Sequence, residues 1–330
     1  FYLIARKYFS KMPLCTYLLS TTAICLIALG YTVQAPALYC TAISGAVCLM
    51  LWSLLFYFYA VMYEKNSVRQ VVFATLGAFA GALAFGCRPP VAFGNFLAIP
   101  LAIHFAKENK GKHLIRKFII IAIPYIIVGA LLMMYNYARF GSPFEFGQAY
   151  QLTSADQTVY RSFSDNLDIA ALLNGLGFNF LYCGPVSNAF PYFNYGGYLV
   201  TYPIMWLLVV YLAQDKVREE IGTDKFKAFT AFLIAVPIAV SLIDTFWSPG
   251  LCERYRLDAY YLVGILAFIA IGYRLKTTAY KELSVNIVCI FAVISILLTF
   301  LLFMQPCDAN FAEYFPDKAE AVRKAIMFGY

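Results

Sequence analysis

An all-α fold, a polytopic bundle of about nine transmembrane helices, is what this sequence predicts. Three observations carry it. Of 330 residues 62% are apolar or aromatic, only 13% are charged, and apolar runs long enough to cross hydrocarbon recur along the whole chain. A water-facing domain carries about 45–50% apolar and about 25% charged residues, so too little charge is present to coat a surface around such a core. Mean hydropathy is +0.70. Secreted disulfide scaffolds, disordered chains and ordinary water-soluble enzymes are excluded. Strands of about ten alternating residues do not recur, so helices, which satisfy their own backbone groups, are preferred to a barrel.

A crossing helix needs about 20 mostly apolar residues. In chain order the predicted spans are 13–33, 37–63, 71–86, 91–106, 118–136, 198–213, 226–243, 259–273 and 283–304. The first comes after the basic segment 1–12 and turns at 32–36 into the second, which ends at 64–70. The third and fourth, both short, meet at 87–90, and 107–117 leads to the fifth. The long segment 137–197 precedes the sixth, 214–227 joins it to the seventh, and 244–258 joins the seventh to a short eighth. The loop 274–282 starts the ninth, and 305–330 is a tail. The whole chain is read as one transmembrane domain, with no internal repeat and no low-complexity tract.

Lys and Arg assign the sides, because cytoplasmic loops retain them. The loops 1–12, 64–70, 107–117, 214–227 and 274–282 hold 17 of the 25 basic residues. The N-terminus is therefore expected in the cytoplasm, the C-terminus outside, and the chain in a plasma membrane. The net charge of +7 is a topology signal and an attraction to anionic membrane lipids. No loop joins a basic cluster to a nucleic-acid motif, so nucleic acid is not an expected partner. The first residues lack the pattern of a signal peptide.

The outer segments carry the chemistry. Before the tail their basic residues are Arg88, Arg139, Arg161, Arg254 and Arg256, with no Lys, whereas the inner loops hold 12 Lys and 5 Arg. A planar fork that grips phosphate through two hydrogen bonds must be Arg. Cys87-Arg-Pro-Pro90, Tyr137-Ala-Arg-Phe-Gly141 and Cys252-Glu-Arg-Tyr-Arg-Leu-Asp258 place such arginines at helix ends. Arg88, Arg139, Arg254 and Arg256 are accordingly the candidate phosphate ligands, with snorkelling or structural pairing as the other reading. If 253–258 opens a helix, Arg254 and Asp258 lie four residues apart and can face each other.

The outer acids are Glu145, Asp156, Asp165, Asp168, Asp244, Glu253 and Asp258, apart from those of the tail. Both histidines, His104 and His113, fall on the cytoplasmic side, so an outer general base must be Asp or Glu. Asp165 and Asp168 are a weak metal signal and serve equally as an N-cap for the apolar stretch Ile169–Leu181, which reads as an interfacial or re-entrant helix. Phe190–Tyr198 is dense in aromatics. Either it is an aromatic belt, or Tyr192, Phe193 and Tyr195 stack on a sugar ring or a polyprenyl chain. Nine cysteines are scattered without a C-x-x-C motif, which speaks against a zinc or redox site and leaves pairing among the outer ones open. Metalloprotease, ATPase and dinucleotide-binding motifs are missing from the sequence.

Arg-Pro closing a short apolar helix, Tyr-Asn-Tyr-Ala-Arg-Phe-Gly-Ser-Pro-Phe-Glu-Phe-Gly147 after a span, and Glu-Arg-Tyr-Arg-Leu-Asp258 entering one together resemble the C-type integral membrane glycosyltransferases of bacteria. Relatives in that superfamily include protein mannosyltransferases and aminoarabinose transferases. The resemblance covers most of 71–275 in layout and about 25 residues in motif. It implies a polyprenyl-phosphate-linked sugar as donor, transfer on the extracytoplasmic face to an envelope acceptor, and arginines at the lipid phosphate. It leaves a divalent cation undecided. It also implies a catalytic acid in a large first outer loop, yet 32–36 contains none. The expectation is that the chain begins after one further helix pair, which would bring the count to eleven and put the base upstream of Phe1. Glu145, Glu253 and Asp258 are the weaker candidates within the chain.

The rival reading is a flippase, exporter or polymer ligase for a lipid-linked or anionic glycan. Transporters place charge near the membrane midplane and often show inverted repeats. The spans here have almost no charge in their middles.

Overall fold

A computed structural model of the chain describes residues 1–34, 38–64, 66–109, 113–147, 150, 169–183, 196–224, 227–247, 253–304 and 314–326. No strand occurs among the described residues. Seven helical segments are long and apolar enough to cross a membrane: Cys40–Met62, Ser67–Cys87, Pro89–Glu108, Leu114–Phe140, Lys227–Thr245, Arg254–Thr277 and Lys281–Leu302. By length and composition the chain is an integral membrane protein.

The helices are α1 (Tyr2–Tyr8), α2 (Leu14–Gln34), α3 (Leu38–Met62), α4 (Ser67–Cys87), α5 (Pro89–Ala92), α6 (Ala98–Glu108), α7 (Leu114–Phe140) and α8 (Ile169–Phe180). The second half of the chain adds α9 (Tyr198–Thr201), α10 (Ile204–Leu212), α11 (Asp215–Thr223), α12 (Lys227–Trp247), α13 (Leu257–Thr277), α14 (Lys281–Met304) and α15 (Pro316–Ile326). The three spans predicted as short are longer than apolarity alone suggests, because helix continues into polar ends. Asn66 starts α4 by accepting from Val68 N at 2.9 Å and Arg69 N at 3.3 Å, an N-cap that satisfies otherwise orphaned donors. Pro89 opens α5 at a position where its missing N–H costs nothing. The 3-10 turn Phe93–Leu97 then carries that segment into α6.

Two predicted spans fall outside the seven. The first, 13–33, is helical as α2, and its described apolar stretch is Leu14–Ile27. The other, 198–213, is broken. Proline disfavours helical geometry in the residue before it, and Tyr202, ahead of Pro203, is extended at φ −128°, ψ 95°. Beyond the break, α10 has only nine residues, which at 1.5 Å per residue extend about 14 Å against about 30 Å of hydrocarbon.

The core runs along α13, whose most apolar window is 94% buried; α2, α10, α11 and α12 pack around it. The opposite extreme is α7, 11% buried, which lies against α4 and leaves Ile126, Leu131 and Met134 exposed, as lipid-facing surface requires. It ends at Gly141, whose φ of 71° is the left-handed C-cap that glycine adopts without penalty. Polar side chains join the helices inside. Tyr261 Oη donates to the Val91 carbonyl at 2.7 Å, and Tyr125 Oη donates to Asn95 Oδ1 at 2.6 Å while lying 3.2 Å from Tyr57 Oη. Hydrogen bonds of this kind hold helices together where the hydrophobic effect cannot.

Candidate functional site

Arg88 occupies the one-residue joint between α4 and α5. Its backbone N–H closes α4 on the Ala84 carbonyl at 2.9 Å, and Pro89 holds it in an extended conformation at φ −156°, ψ 104°. The side chain leaves the helix line and reaches the first turn of α13. There Nε donates to Asp258 Oδ1 at 2.6 Å and Nη2 to Oδ2 at 2.7 Å. The Asp258 side chain is fully buried, and that of Arg88 is 22% exposed. This fork-on-carboxylate pairing is the strongest form of ion pair. Burial opposes the guanidinium charge, but the Asp258 carboxylate outweighs it and holds the pKa of Arg88 above its ordinary value. Nη1 makes no hydrogen bond to a described residue.

The arrangement departs from the i, i+4 pairing of Arg254 with Asp258 that the spacing suggests. Residues Glu253–Arg256 form a 3-10 turn, so the α-helical facing of positions 254 and 258 is lost, and both Asp258 oxygens are held by Arg88. Arg254 instead lies over the Tyr255 ring at 5.1 Å, with Arg88 5.3 Å from the same ring. Its charge is still felt at Asp258. Two guanidinium groups thus share one aromatic ring at the end of the bundle where α4 stops and α13 begins.

Arg256 is buried and points to α8. Its guanidinium lies over Phe178 at 4.1 Å and near Tyr182 at 5.6 Å, and Nε donates to the Phe178 carbonyl at 3.3 Å. Its own carbonyl accepts from Tyr198 Oη, whose ring packs against Phe180 and Tyr260. Helix α8 is seated on α12 where Gly175 meets Thr245; a Cβ at position 175 would overlap the threonine side chain. Arg256 therefore packs α8 onto the start of α13.

Asp244 is a residue that the sequence does not single out. By sequence it is one outer acid among seven, with no motif around it. It sits in the last turn of α12, 6% exposed, and is felt electrostatically by both Asp258 and Arg88. The signal for it is its place, an acid closing a helix that is otherwise uncharged after Lys227.

The other candidates stand apart from this cluster or outside the described residues. Arg139 is exposed on α7, where Nη1 donates to Tyr135 Oη at 3.0 Å and the guanidinium lies 4.8 Å from the Phe140 ring. Glu145 Oε1 accepts from Gly147 N at 2.8 Å, a local turn bond that shapes the chain after α7. Phe146 then meets Phe85 of α4 with ring centroids 6.3 Å apart. Arg161, Asp165, Asp168, Tyr192, Phe193, Tyr195 and the side chain of Glu253 lie outside the described residues. No group of three or more His, Cys, Asp or Glu able to hold a metal occurs among the described residues. What the arrangement offers chemically is a braced guanidinium and a second one over a shared tyrosine, beside a buried carboxylate. Set against known proteins, the chain matches no family model, no curated protein and no solved structure.

Proposed function

We propose that this chain is a membrane glycosyltransferase that moves a sugar from a polyprenyl-phosphate donor to an envelope acceptor on the extracytoplasmic face of a bacterial plasma membrane. The observation that carries the reading is Arg88 held from behind by the fully buried Asp258, with Arg254 beside it over Tyr255. An arginine fixed in this way presents its remaining N–H groups to a phosphate at little further cost in side-chain entropy. In this reading the loops rich in Lys face the cytoplasm, the N-terminus is inside and the C-terminus outside. Helix α2, together with α9 and α10 as a crossing interrupted at Tyr202 and Pro203, completes nine crossings, and α8 lies at the level of the lipid headgroups.

A carboxylate takes the proton of an acceptor hydroxyl, whose oxygen attacks the anomeric carbon. The bond from that carbon to the phosphate oxygen breaks, and the lipid phosphate leaves with the electron pair. Arg88 and Arg254 stabilise the charge that grows on the departing phosphate, which is electrostatic stabilisation of the transition state. Arg139, exposed at the end of α7, adds a lipid-headgroup contact. Tyr192, Phe193 and Tyr195 supply a stacking surface for the sugar ring or the polyprenyl chain.

The purified full-length protein in liposomes with synthetic polyprenyl-phosphate sugars tests this. Transfer to an acceptor is expected, with Arg88→Ala and Arg254→Ala each lowering turnover by about 100-fold. Full turnover in both variants would remove the arginines from the site. Counter-flow of lipid-linked sugar without transfer would replace the transferase by a transporter.

A further inference from the structure

We propose that a groove between α4, α6 and α7 holds one acyl chain of an anionic phospholipid whose phosphate rests on Arg139. Such a lipid is bound whether or not the protein transfers sugar. The groove has a volume of about 590 Å³, within the range of about 300–1,000 Å³ that ligand pockets occupy. Along α7 it is lined by Tyr125, Val128, Gly129 and Leu132, the i, i+3, i+4, i+7 spacing of one helix face. Phe85 of α4, Phe96 of the 3-10 turn and Ile99 of α6 line it as well. These three are 44%, 47% and 44% exposed, so a hydrocarbon chain enters from the side, out of the bilayer.

The polar atoms that line the groove are already engaged with one another. Tyr125 Oη donates to Asn95 Oδ1 at 2.6 Å, and Asn95 Nδ2 donates to the Gly81 and Ala92 carbonyls at 3.0 and 2.8 Å. A polar solute would lose its hydration there without gaining a partner, whereas a hydrocarbon chain loses none and restores the dispersion contacts that an empty groove forfeits. Arg139 supplies the site for the head. It stands seven residues beyond Leu132, on the same face of α7 and about 10 Å farther along the helix. The headgroup layer adds about 5–7 Å to each side of the hydrocarbon, which brings the phosphate of a lipid seated beside Leu132 near that height. Phe146, in the turn after α7, meets the groove-lining Phe85 with ring centroids 6.3 Å apart, tying the Arg139 end to the groove wall. Arg139 is exposed, and one N–H goes to Tyr135 Oη; its fork is the geometry that suits a phosphate, and a basic group beside membrane helices is a recurrent seat for anionic lipid heads. Arg88 serves a different lipid, since it is turned to Asp258 of α13 while α7 packs against α4. The phospholipid chain wedges α7, the least buried of the seven crossing segments, against α4 and α6.

The test titrates the full-length protein in detergent micelles with phosphatidylglycerol and phosphatidylcholine of identical acyl chains. Bound lipid is read by native mass spectrometry, and Tm alongside it. The wild type is expected to hold phosphatidylglycerol at least about tenfold more tightly, the worth of one charge-assisted contact, and to gain Tm as it binds. A Cβ at Gly129 meets nothing within 4 Å, so Gly129→Phe fills the groove and Gly129→Leu fills part of it. Their lipid-free Tm is expected to hold, because glycine is the poorer residue in a helix interior. Both variants should weaken binding of both lipids, Gly129→Phe by about tenfold or more, and lose the lipid-induced rise in Tm; should Gly129→Phe not fold, Gly129→Leu carries the comparison. Arg139→Gln should bind phosphatidylcholine as the wild type does and lose only the preference. Equal affinity of the wild type for the two lipids overturns the proposal, as does unchanged binding in a folded Gly129 variant or a preference that survives Arg139→Gln. Polyprenyl phosphate displacing phosphatidylglycerol at about a tenth of its concentration assigns the groove to the donor and overturns the phospholipid. None of these readings depends on sugar transfer, so failure of the transferase reading is seen separately.

Discussion

At the scale of single residues, the Arg88–Asp258 pair decides most of what the site can do, and its energetics are asymmetric. A buried ion pair adds little net stability over a well-packed apolar pair, but removing one partner strands the other at a cost of about 3–5 kcal/mol. Asp258→Ala is expected near the lower end, about 3 kcal/mol, because the 22% exposure of Arg88 lets water recover part of the loss; chemical denaturation in micelles measures it. Arg88→Lys keeps the charge and loses the fork, so the fold is expected to survive while donor affinity falls, a separation that paired stability and binding measurements resolve. Of this pair only half is legible in the sequence. Arg-Pro marks Arg88 as an extended residue at a helix end, and Asp258 stands in a charged motif. Nothing local in the sequence joins positions 88 and 258, however, and the nearer Arg254 offers a pairing that a 3-10 turn then withdraws. Asp244 is visible as an acid but has no motif, since a buried carboxylate is defined by neighbours distant in sequence.

At the scale of elements, two joints are open to test. Gly175 lets α8 lie against Thr245 of α12, so Gly175→Val is expected to lift α8 and loosen the stacking of Phe178 on Arg256. Because the overlap is with the threonine side chain, Thr245→Ala should return part of what Gly175→Ala loses, a coupling that a double-mutant cycle reads out. The cap on α4 is a simpler case: Asn66→Ala removes the acceptor for Val68 N and Arg69 N and is expected to cost about 1 kcal/mol, measured by thermal unfolding. Apolar runs locate the long helices well, because hydrocarbon thickness sets their length. They do not show the interruption at 198–213, where apolarity continues through Pro203 while the helical backbone does not. Proline inside a membrane helix often only kinks it; here the extended Tyr202 turns the kink into a break. Helix ends are under-read for the opposite reason, as capping carries helix past the last apolar residue.

At the scale of the whole molecule, scarcity of charge is what organises the protein. With 13% charged residues, a bundle built around the nearly enclosed α13 has few polar groups to place, and several of them meet where α4 ends and α13 begins. The peripheral α7 shows the complementary side of the same economy, an apolar surface that only lipid can cover. A protein so arranged keeps its fold by burying helices against α13 and holds a fully buried carboxylate in an ion pair where α4 ends and α13 begins. In the proposed function this end transfers sugar from a lipid phosphate held by Arg88. The most direct measurement is transfer of radiolabelled sugar from a polyprenyl-phosphate donor by the reconstituted full-length protein, wild type against Arg88→Ala. Transfer by the wild type and a loss of about 100-fold in the variant is the expected result; equal transfer by both, or none by the wild type with any donor, would contradict a transferase that holds its donor phosphate on Arg88.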